Sequence, residues 1–390
     1  MKLMYLTFQE EAPLYLGVVR KIGWQAEAFR KLGFDVTYTL WSGRSFRFIT
    51  KDGAEAKTIS GGHGMMRKFS EAARLYLNSH PFDVLYLRLD RISFDVLRLC
   101  RAARANGAKT VVIELPNYPY LRDYIGSADG VRPLSRRLAV RLRILGTVAE
   151  DRLSALGLRR LVDAAVLIGN RADRFFGVKA INISNGVDVD AMSAVPPKNN
   201  PRELVLIGVA GTLWWQGYDR VLAGMHRYQK EKPAAGPNIR FILVGGDRKE
   251  MPGFLSLVRR YGLEDSVECP GFQSGKALDA SYARADLGVS TLGCYRRGLR
   301  SCSSLKAREY CARGLPFLYA YEDALPPDAP FALKLPNDPS PVDMDAVVRF
   351  AENCRRHPEI SERERAFARE HYDWKNIMKR VLDFAQAAAV

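Results

Sequence analysis

Short apolar runs rich in β-branched residues recur along the chain, and a stretch with helical spacing follows most of them. That alternation restricts the fold more than any other feature. In the first half, Lys2–Phe8, Phe34–Leu40, Val84–Leu89, Thr110–Leu115 and Ala164–Ile168 read as strands, with an arm of a small hairpin at Arg44–Thr50. Helices are expected at Val18–Leu32, Met65–Leu77 and Phe94–Ala105. Strands with helical connections suit a parallel sheet covered on both faces. The pattern then starts afresh, with strands at Leu204–Val209, Arg240–Val244, Ser266–Cys269, Asp286–Thr291 and Phe317–Tyr321. Its helices are Tyr218–Gln229, Phe254–Tyr261, Lys276–Arg284 and Leu305–Arg313. A Pro- and Asn-rich stretch, Pro196–Pro201, separates the halves and reads as a linker. The fold class is therefore α/β, with two Rossmann-like doubly wound domains. At 390 residues each domain has chain enough for its own core. The expected borders are 1–195 and 196–370, with 371–390 as a terminal helix.

No apolar run approaches the roughly 18 residues that span a bilayer. The start, MKLMYLTFQEEAP, is too short and turns acidic too soon for a secretory signal. Six cysteines (100, 269, 294, 302, 311 and 354) form no Cys-x-x-Cys pair, which points away from a zinc site or redox dithiol and toward reduced thiols in the cytoplasm. The net charge of +16 asks for an anionic partner. Zinc-finger, RNP and KH signatures are missing, so nucleic acid ranks behind a membrane surface or an acidic ligand.

The stretch Ser301–Pro316 (SCSSLKAREYCARGLP) carries the chemistry. It follows the expected strand Asp286–Thr291 and a loop crowded by Arg296, Arg297 and Arg300. Ser303 or Ser304 can cap the first turn of the helix, and Gly314 and Pro316 end it. In a parallel sheet, the loop from a strand's carboxyl end into a helix faces the ligand crevice. The helix amino end supplies N–H groups and partial positive charge, and Lys306 with the arginines adds full charge, which makes a phosphate site. Glu309 lies about one turn further on, where its carboxylate can accept from vicinal hydroxyls such as those of a ribose.

These residues resemble the GT-B glycosyltransferases of the retaining family 4 type, most of all their bacterial capsular and exopolysaccharide branch. LKAREYCARGLPFLY, FGVKAINISNGVDVD (Phe176–Asp190) and WWQGYDR (Trp214–Arg220) carry the resemblance. IELPNYPY (Ile113–Tyr120) and GVVRKIGWQAEAF (Gly17–Phe29) extend it into the first half. It implies two domains facing a cleft, the first on the acceptor side and the second binding a nucleoside-diphosphate sugar. Transfer then proceeds with retention at the anomeric carbon onto a glycan acceptor, expected to be lipid-linked. In that family a Glu at the Glu309 position holds the ribose. His371–Phe384 resembles the helix that crosses back to the first domain.

The chain departs from the family at several points. The loop that opens at Gly211 carries Thr212 and Gln216 where typical members place an Arg and a Lys for the leaving diphosphate, so Lys306 and Arg300 are expected to supply the charge. The family's paired glutamates are eight positions apart, and counting back from Glu309 reaches Ser301, whose hydroxyl or loop N–H groups would take the sugar-binding role. Ser304 completes the donor set. Gly17 faces the cleft in the look-alike family and admits the donor, though a plain helix-start glycine reads equally well. Glu114 falls near a position where many members carry a donor-contacting His. It either orients an acceptor hydroxyl or hydrogen-bonds the Pro116–Pro119 loop. Trp214 and Trp215 either stack on a sugar or base or simply pack.

Leu134, Leu138, Leu142, Leu145, Ala149, Leu153 and Leu156 recur at intervals of three and four and mark one apolar helical stripe. Arg132, Arg136, Arg137, Arg141 and Arg143 occupy other faces. Such a helix lies on an anionic membrane, packs on the core with a solvated basic face, or does both. The first reading places the protein peripherally at the cytoplasmic face of the inner membrane. Asp188-Val-Asp190 is expected to cap the next helix and Asp343-Met-Asp345 to start one, so no metal or other cofactor is expected. A sugar-nucleotide epimerase on the same architecture would need cleft histidines, and the five present (63, 80, 226, 357, 371) are scattered. A non-catalytic nucleotide- or polyanion-binding protein is the other alternative.

Overall fold

The computed structural model describes residues 1–12, 15–59, 64–120, 134–169, 171–210, 214–231, 236–246 and 251–389, with side chains for all of these except 134–138 and 389. Gly211, Thr212, Arg132 and His63 therefore lie outside the described residues, as do the side chains of Leu134, Arg136, Arg137 and Leu138. The chain divides into two compact units, Met1–Ser184 with Trp374–Val390, and Asn185–Asp373. The division falls at 184/185, eleven residues ahead of the expected border at 195/196. Asn185 is already tied to the second unit through Ser303, and the Val195 N–H donates to the Arg313 carbonyl at 2.8 Å.

The first unit holds a nine-stranded sheet in the order β4-β3-β2-β1-β5-β6-β7-β9-β8. Its strands are β1 (Lys2–Thr7), β2 (Asp35–Ser42), β3 (Ser45–Ile49), β4 (Ala54–Thr58), β5 (Val84–Arg88), β6 (Thr110–Tyr118), β7 (Ala164–Gly169), β8 (Arg174–Phe175) and β9 (Val178–Ile183). The central pairs are parallel, and β3, β4 and β8 add antiparallel edges. Successive strand residues point to opposite faces, and β1 shows the consequence. Met4 and Leu6 enter a core with α2 (Met65–Ser79), α3 (Phe94–Ala105) and the end of α4 (Leu134–Ala155), whereas Leu3 and Tyr5 enter a core with α1 (Leu16–Lys31) and α11 (Trp374–Ala389). Trp374, Ile377, Met378 and Val381 of α11 are fully buried there.

The second unit holds a six-stranded, all-parallel sheet in the order β12-β11-β10-β13-β14-β15. Its strands are β10 (Glu203–Val209), β11 (Asn238–Val244), β12 (Val267–Gly271), β13 (Leu287–Val289), β14 (Phe317–Tyr319) and β15 (Ala332–Lys334). Helices α5 (Tyr218–Glu231), α6 (Pro252–Arg260) and α9 (Met344–Arg356) bury one face of it. α7 (Gly275–Ala283), α8 (Leu305–Arg313) and α10 (Glu359–His371) complete the unit, and α10 packs on α8. α8 closes as expected on Gly314 in the left-handed conformation (φ 65°), where a Cβ would also meet the Ser361 carbonyl at 2.7 Å. β4, β8, β9, β15 and α10 were not anticipated from the pattern, and of α9 only the start at Asp343 was. α9 and α10 are polar helices that bury only a few residues each, Met344, Val347 and Ala351 in one and Ile360, Glu364 and Ala368 in the other. Asp343 caps α9 by accepting from the Ala346 N–H at 3.0 Å, but Asp188 stabilises only a turn and no helix follows it.

Candidate functional site

The site is assembled at the carboxyl edge of the second sheet, where β10 and β13 lie side by side. The chain leaving β10 winds through a 3-10 turn at Trp214–Gln216, and the chain leaving β13 through another at Cys294–Arg297. The Leu292 N–H donates to the Gln216 carbonyl at 2.8 Å, which locks the two turns together. Gly217 permits that approach, with φ 74° and a Cβ position only 2.7 Å from the Gly293 nitrogen. Beyond the second turn the chain enters α8.

Ser304 is the residue before α8, but its side chain does not cap the first turn. It accepts from the Ser290 hydroxyl at 3.3 Å, and the Ser303 hydroxyl accepts from the Asn185 N–H at 2.7 Å. The expected serine cap is therefore not made. In the first turn of α8, the Lys306 ammonium donates to the Gln216 side-chain oxygen and to the Tyr218 hydroxyl at 3.2 Å, and it lies 5.3 Å from the centre of the Tyr218 ring. Burial lowers the Lys306 pKa to about 7, and only the neighbouring Cys302 and Cys294 sulfurs, no carboxylate, work against that lowering. Gln216, itself buried, also accepts from the Thr291 hydroxyl at 3.2 Å. Glu309 follows in the helix, half-buried, and accepts from the Tyr282 hydroxyl at 3.3 Å.

The arginines divide their work. Arg296 pairs with Asp219 at 2.6 Å and holds the Trp214 carbonyl and Tyr295 hydroxyl, so it braces the turns rather than waiting for a ligand. Arg297 lies 5.5 Å above the Trp215 ring, whereas Trp214 is exposed. Arg300 and Ser301 are exposed beside α8, their backbone pinned to Glu322 by a 2.7 Å bond from its N–H to the Arg300 carbonyl. Phe272, 63% exposed, follows β12 on the same carboxyl edge. Sequence spacing did not single out Phe272, Tyr218, Tyr282 or Thr291, because they come from four separate segments.

The first unit's expected residues behave differently. Glu114, in β6, is wholly buried. It accepts from the Tyr86 hydroxyl at 2.7 Å, Gln25 at 2.8 Å and Lys21 at 3.2 Å, and its Oε1 lies 3.3 Å from Arg88 Nε. Burial opposes its charge, yet Lys21 and Arg88 outweigh that and hold the carboxyl below its usual range. Burial likewise lowers Lys21 to about 8. The partners of the Glu114 carboxylate come from α1 and β5 and not from the Pro116–Pro119 loop, so it fastens α1 to the sheet. Gly17 lies in the first turn of α1, exposed, with nothing within 4 Å of a Cβ built on it.

The stripe on α4 is where expectation and structure diverge most. Leu142, Leu145, Leu153 and Leu156 are 61%, 64%, 58% and 79% exposed, and Ala149 between them is exposed too. The inward side is polar: Asp151 is fully buried, accepting from the Ile92 N–H at 2.9 Å and the Tyr120 hydroxyl at 2.7 Å. Arg141 and Arg143 are exposed beside the leucines. The core-packed reading of the stripe therefore fails for its described part. No helix is long and apolar enough to cross a membrane among the described residues.

No protein-family model matches the chain. No curated protein matches it either. Solved structures do. A sucrose-phosphate synthase from Thermosynechococcus elongatus superimposes with a TM-score of 0.61 at 15% identity, covering 100% of both chains. The catalytic domain of starch synthase IV from Arabidopsis thaliana, solved with ADP and acarbose, gives 0.60 at 10% identity over 100% of this chain and 99% of that one. A lipopolysaccharide outer core galactosyltransferase gives 0.54 at 11% identity over 98% and 99%. At such identities the likeness is one of fold, and the fold of this chain is that of the GT-B glycosyltransferases.

Proposed function

We propose that the protein is a glycosyltransferase that takes a sugar from a nucleoside-diphosphate donor. The observation that carries this reading is the amino end of α8, where the Ser304 side chain leaves the first turn uncapped beside Lys306, a half-buried ammonium whose hydrogen-bond partners are neutral. A diphosphate supplies the counter-charge that this ammonium lacks. Glu309, about one turn on, then accepts from the ribose hydroxyls, and Phe272 offers a ring face on the same edge. As the bond from sugar to phosphate breaks, negative charge grows on the leaving diphosphate. Fixed dipoles and the Lys306 charge stabilise it without reorganising, which favours the transition state over the bound donor. A starch synthase of the same fold was solved with a nucleoside diphosphate, ADP, which accords with this assignment.

The finer reading is transfer with retention and without a metal, onto a lipid-linked saccharide in capsular, exopolysaccharide or other surface glycan synthesis. It places the protein at the cytoplasmic face of a membrane, resting on the exposed leucines and arginines of α4. Calorimetric titration with a panel of nucleoside diphosphates and their sugars tests the donor site. Glu309→Ala is expected to weaken binding about ten-fold or more, in line with losing hydrogen bonds to a charged acceptor, with an unchanged circular dichroism spectrum. Undiminished affinity in that variant removes the assignment.

A further inference from the structure

Exposed apolar side chains are concentrated on one layer of the first unit. Of the twelve large ones among the described residues, seven belong to the helices on a single face of the sheet or the turn that ends them. They are Met66 and Leu75 on α2, Phe94 on α3, and Leu142, Leu145, Leu153 and Leu156 on and just beyond α4. The opposite face, covered by α1 and α11, contributes Leu16 and, just before it, Tyr15. Between α2 and α3 runs an open groove of about 790 Å³. Five cationic side chains line it, Arg67, Lys68, Arg74, Arg98 and Arg101, against two acidic ones, Glu71 and Asp95. Both acids are paired already, Glu71 with Arg74 at 2.6 Å and Asp95 with Arg98 at 2.6 Å. The cations converge across the groove. The Arg74 hydrogen bond holds the Glu71 carboxyl below its usual range, and the charges of Arg98, from the facing helix, and Arg67 act on it as well.

Apolar side chains that stand out in water beside a surplus of positive charge fit a surface that is itself apolar below and anionic above. We infer that the α2–α3–α4 layer rests on an anionic phospholipid bilayer and that the α2–α3 groove takes the phosphate of a lipid headgroup. The inference rests on the membrane reading of α4 and adds to it the rest of the contact face and the headgroup's chemistry. The leucines enter the acyl boundary, and the arginine forks of the groove match phosphate oxygens. The face also orients the unit, since three adjacent helices make contact and not one.

Co-sedimentation of the full chain with vesicles of phosphatidylcholine alone, or phosphatidylcholine mixed with phosphatidylglycerol, tests it. The protein is expected on the mixed vesicles only, released by salt. Arg67→Glu with Arg101→Glu is expected to cut partitioning about ten-fold or more, since each basic residue near such a surface has a several-fold effect. Arg67→Gln with Arg101→Gln should give a smaller loss, and unchanged thermal melting shows that both variants fold. Leu145→Glu with Leu153→Glu tests α4 separately. If that variant releases the protein while the groove variants stay bound, α4 is a membrane helix and the groove assignment falls. If the unaltered protein ignores mixed vesicles, both fall. If inorganic phosphate or glycerol 3-phosphate raises the melting temperature through Arg67 and Arg101 without any vesicle binding, the groove serves a free phosphate and the lipid inference is overturned.

Discussion

The Lys306 ammonium donates to the side-chain oxygen of Gln216, a neutral partner ninety positions away in sequence. Burial holds this lysine at about 7, so near neutral pH it exists in both protonation states before any ligand binds. If the proposed diphosphate site is right, a diphosphate binds the protonated form and raises its pKa. Donor affinity should therefore be constant below about pH 7 and fall as pH rises above it, by up to about ten-fold per unit until the raised value is reached. Calorimetry in buffers of different ionisation enthalpy should register proton uptake on binding. Lys306→Met should bind weakly and lose the pH dependence. A flat affinity profile in the unaltered protein would show that Lys306 does not meet the phosphates.

Cys302 and Cys294 form a thiol pair beside that lysine. The Cys294 thiol donates to the Cys302 sulfur, which lowers the Cys302 pKa; the Lys306 and Arg308 charges also favour its thiolate. Cys294 is 1% exposed, whereas Cys302 is half-buried. Limited treatment with iodoacetamide should label Cys302 first, as peptide mass spectrometry would reveal. A nucleoside diphosphate over the amino end of α8 should slow that labelling several-fold. Equal labelling with and without nucleotide would place the ligand elsewhere.

Glu364 tests the support beneath α8. It is fully buried on α10, its nearest polar neighbour a Cys311 thiol, and burial drives its carboxyl well above the ordinary range. The folded protein thus holds a proton there that the unfolded chain releases above about pH 4.5. The associated stability is complete below that pH and is lost as pH rises toward the folded value. Glu364→Leu should therefore stabilise the protein at neutral pH by about 1–3 kcal/mol, seen as a higher urea midpoint. The gain should shrink in acid. A loss of stability at neutral pH would mean the carboxyl has partners that matter.

Glu114 should matter for folding rather than turnover. Replacing it with Gln leaves Lys21 and Arg88 facing each other in a buried setting. Breaking a buried pair by removing one partner costs about 3–5 kcal/mol, and urea unfolding should report a loss of that order. Replacing both Glu114 and Lys21 by uncharged residues should recover part of it. A variant that folds as stably as its parent but fails to transfer sugar would restore the catalytic assignment.

The alternation of apolar runs and helices was enough to derive two parallel-sheet units, since period and length are local properties that survive in a single sequence. The α8 helix was legible for the same reason, since Lys306, Glu309 and the closing Gly314 lie within about three turns of one another, although the expected serine cap is not made. What surrounds them was not. Gln216 and Tyr218 meet Lys306 only because neighbouring strands end at one edge, and Tyr282 meets Glu309 only because the last turn of α7 comes up beside α8. α10, and α9 beyond its start at Asp343, escaped notice because polar helices need little apolar surface when they cover an existing core. Two readings turned on burial, which composition does not encode. The stripe from Leu142 to Leu156 had the right period for a core helix, yet a buried Asp151 turns its other side inward. Glu114 stood where a cleft carboxylate belongs, yet two cations and two uncharged donors enclose it. A sequence states which faces an element has; only packing decides which of them meets water, because that choice is made by the sum of contacts from distant segments.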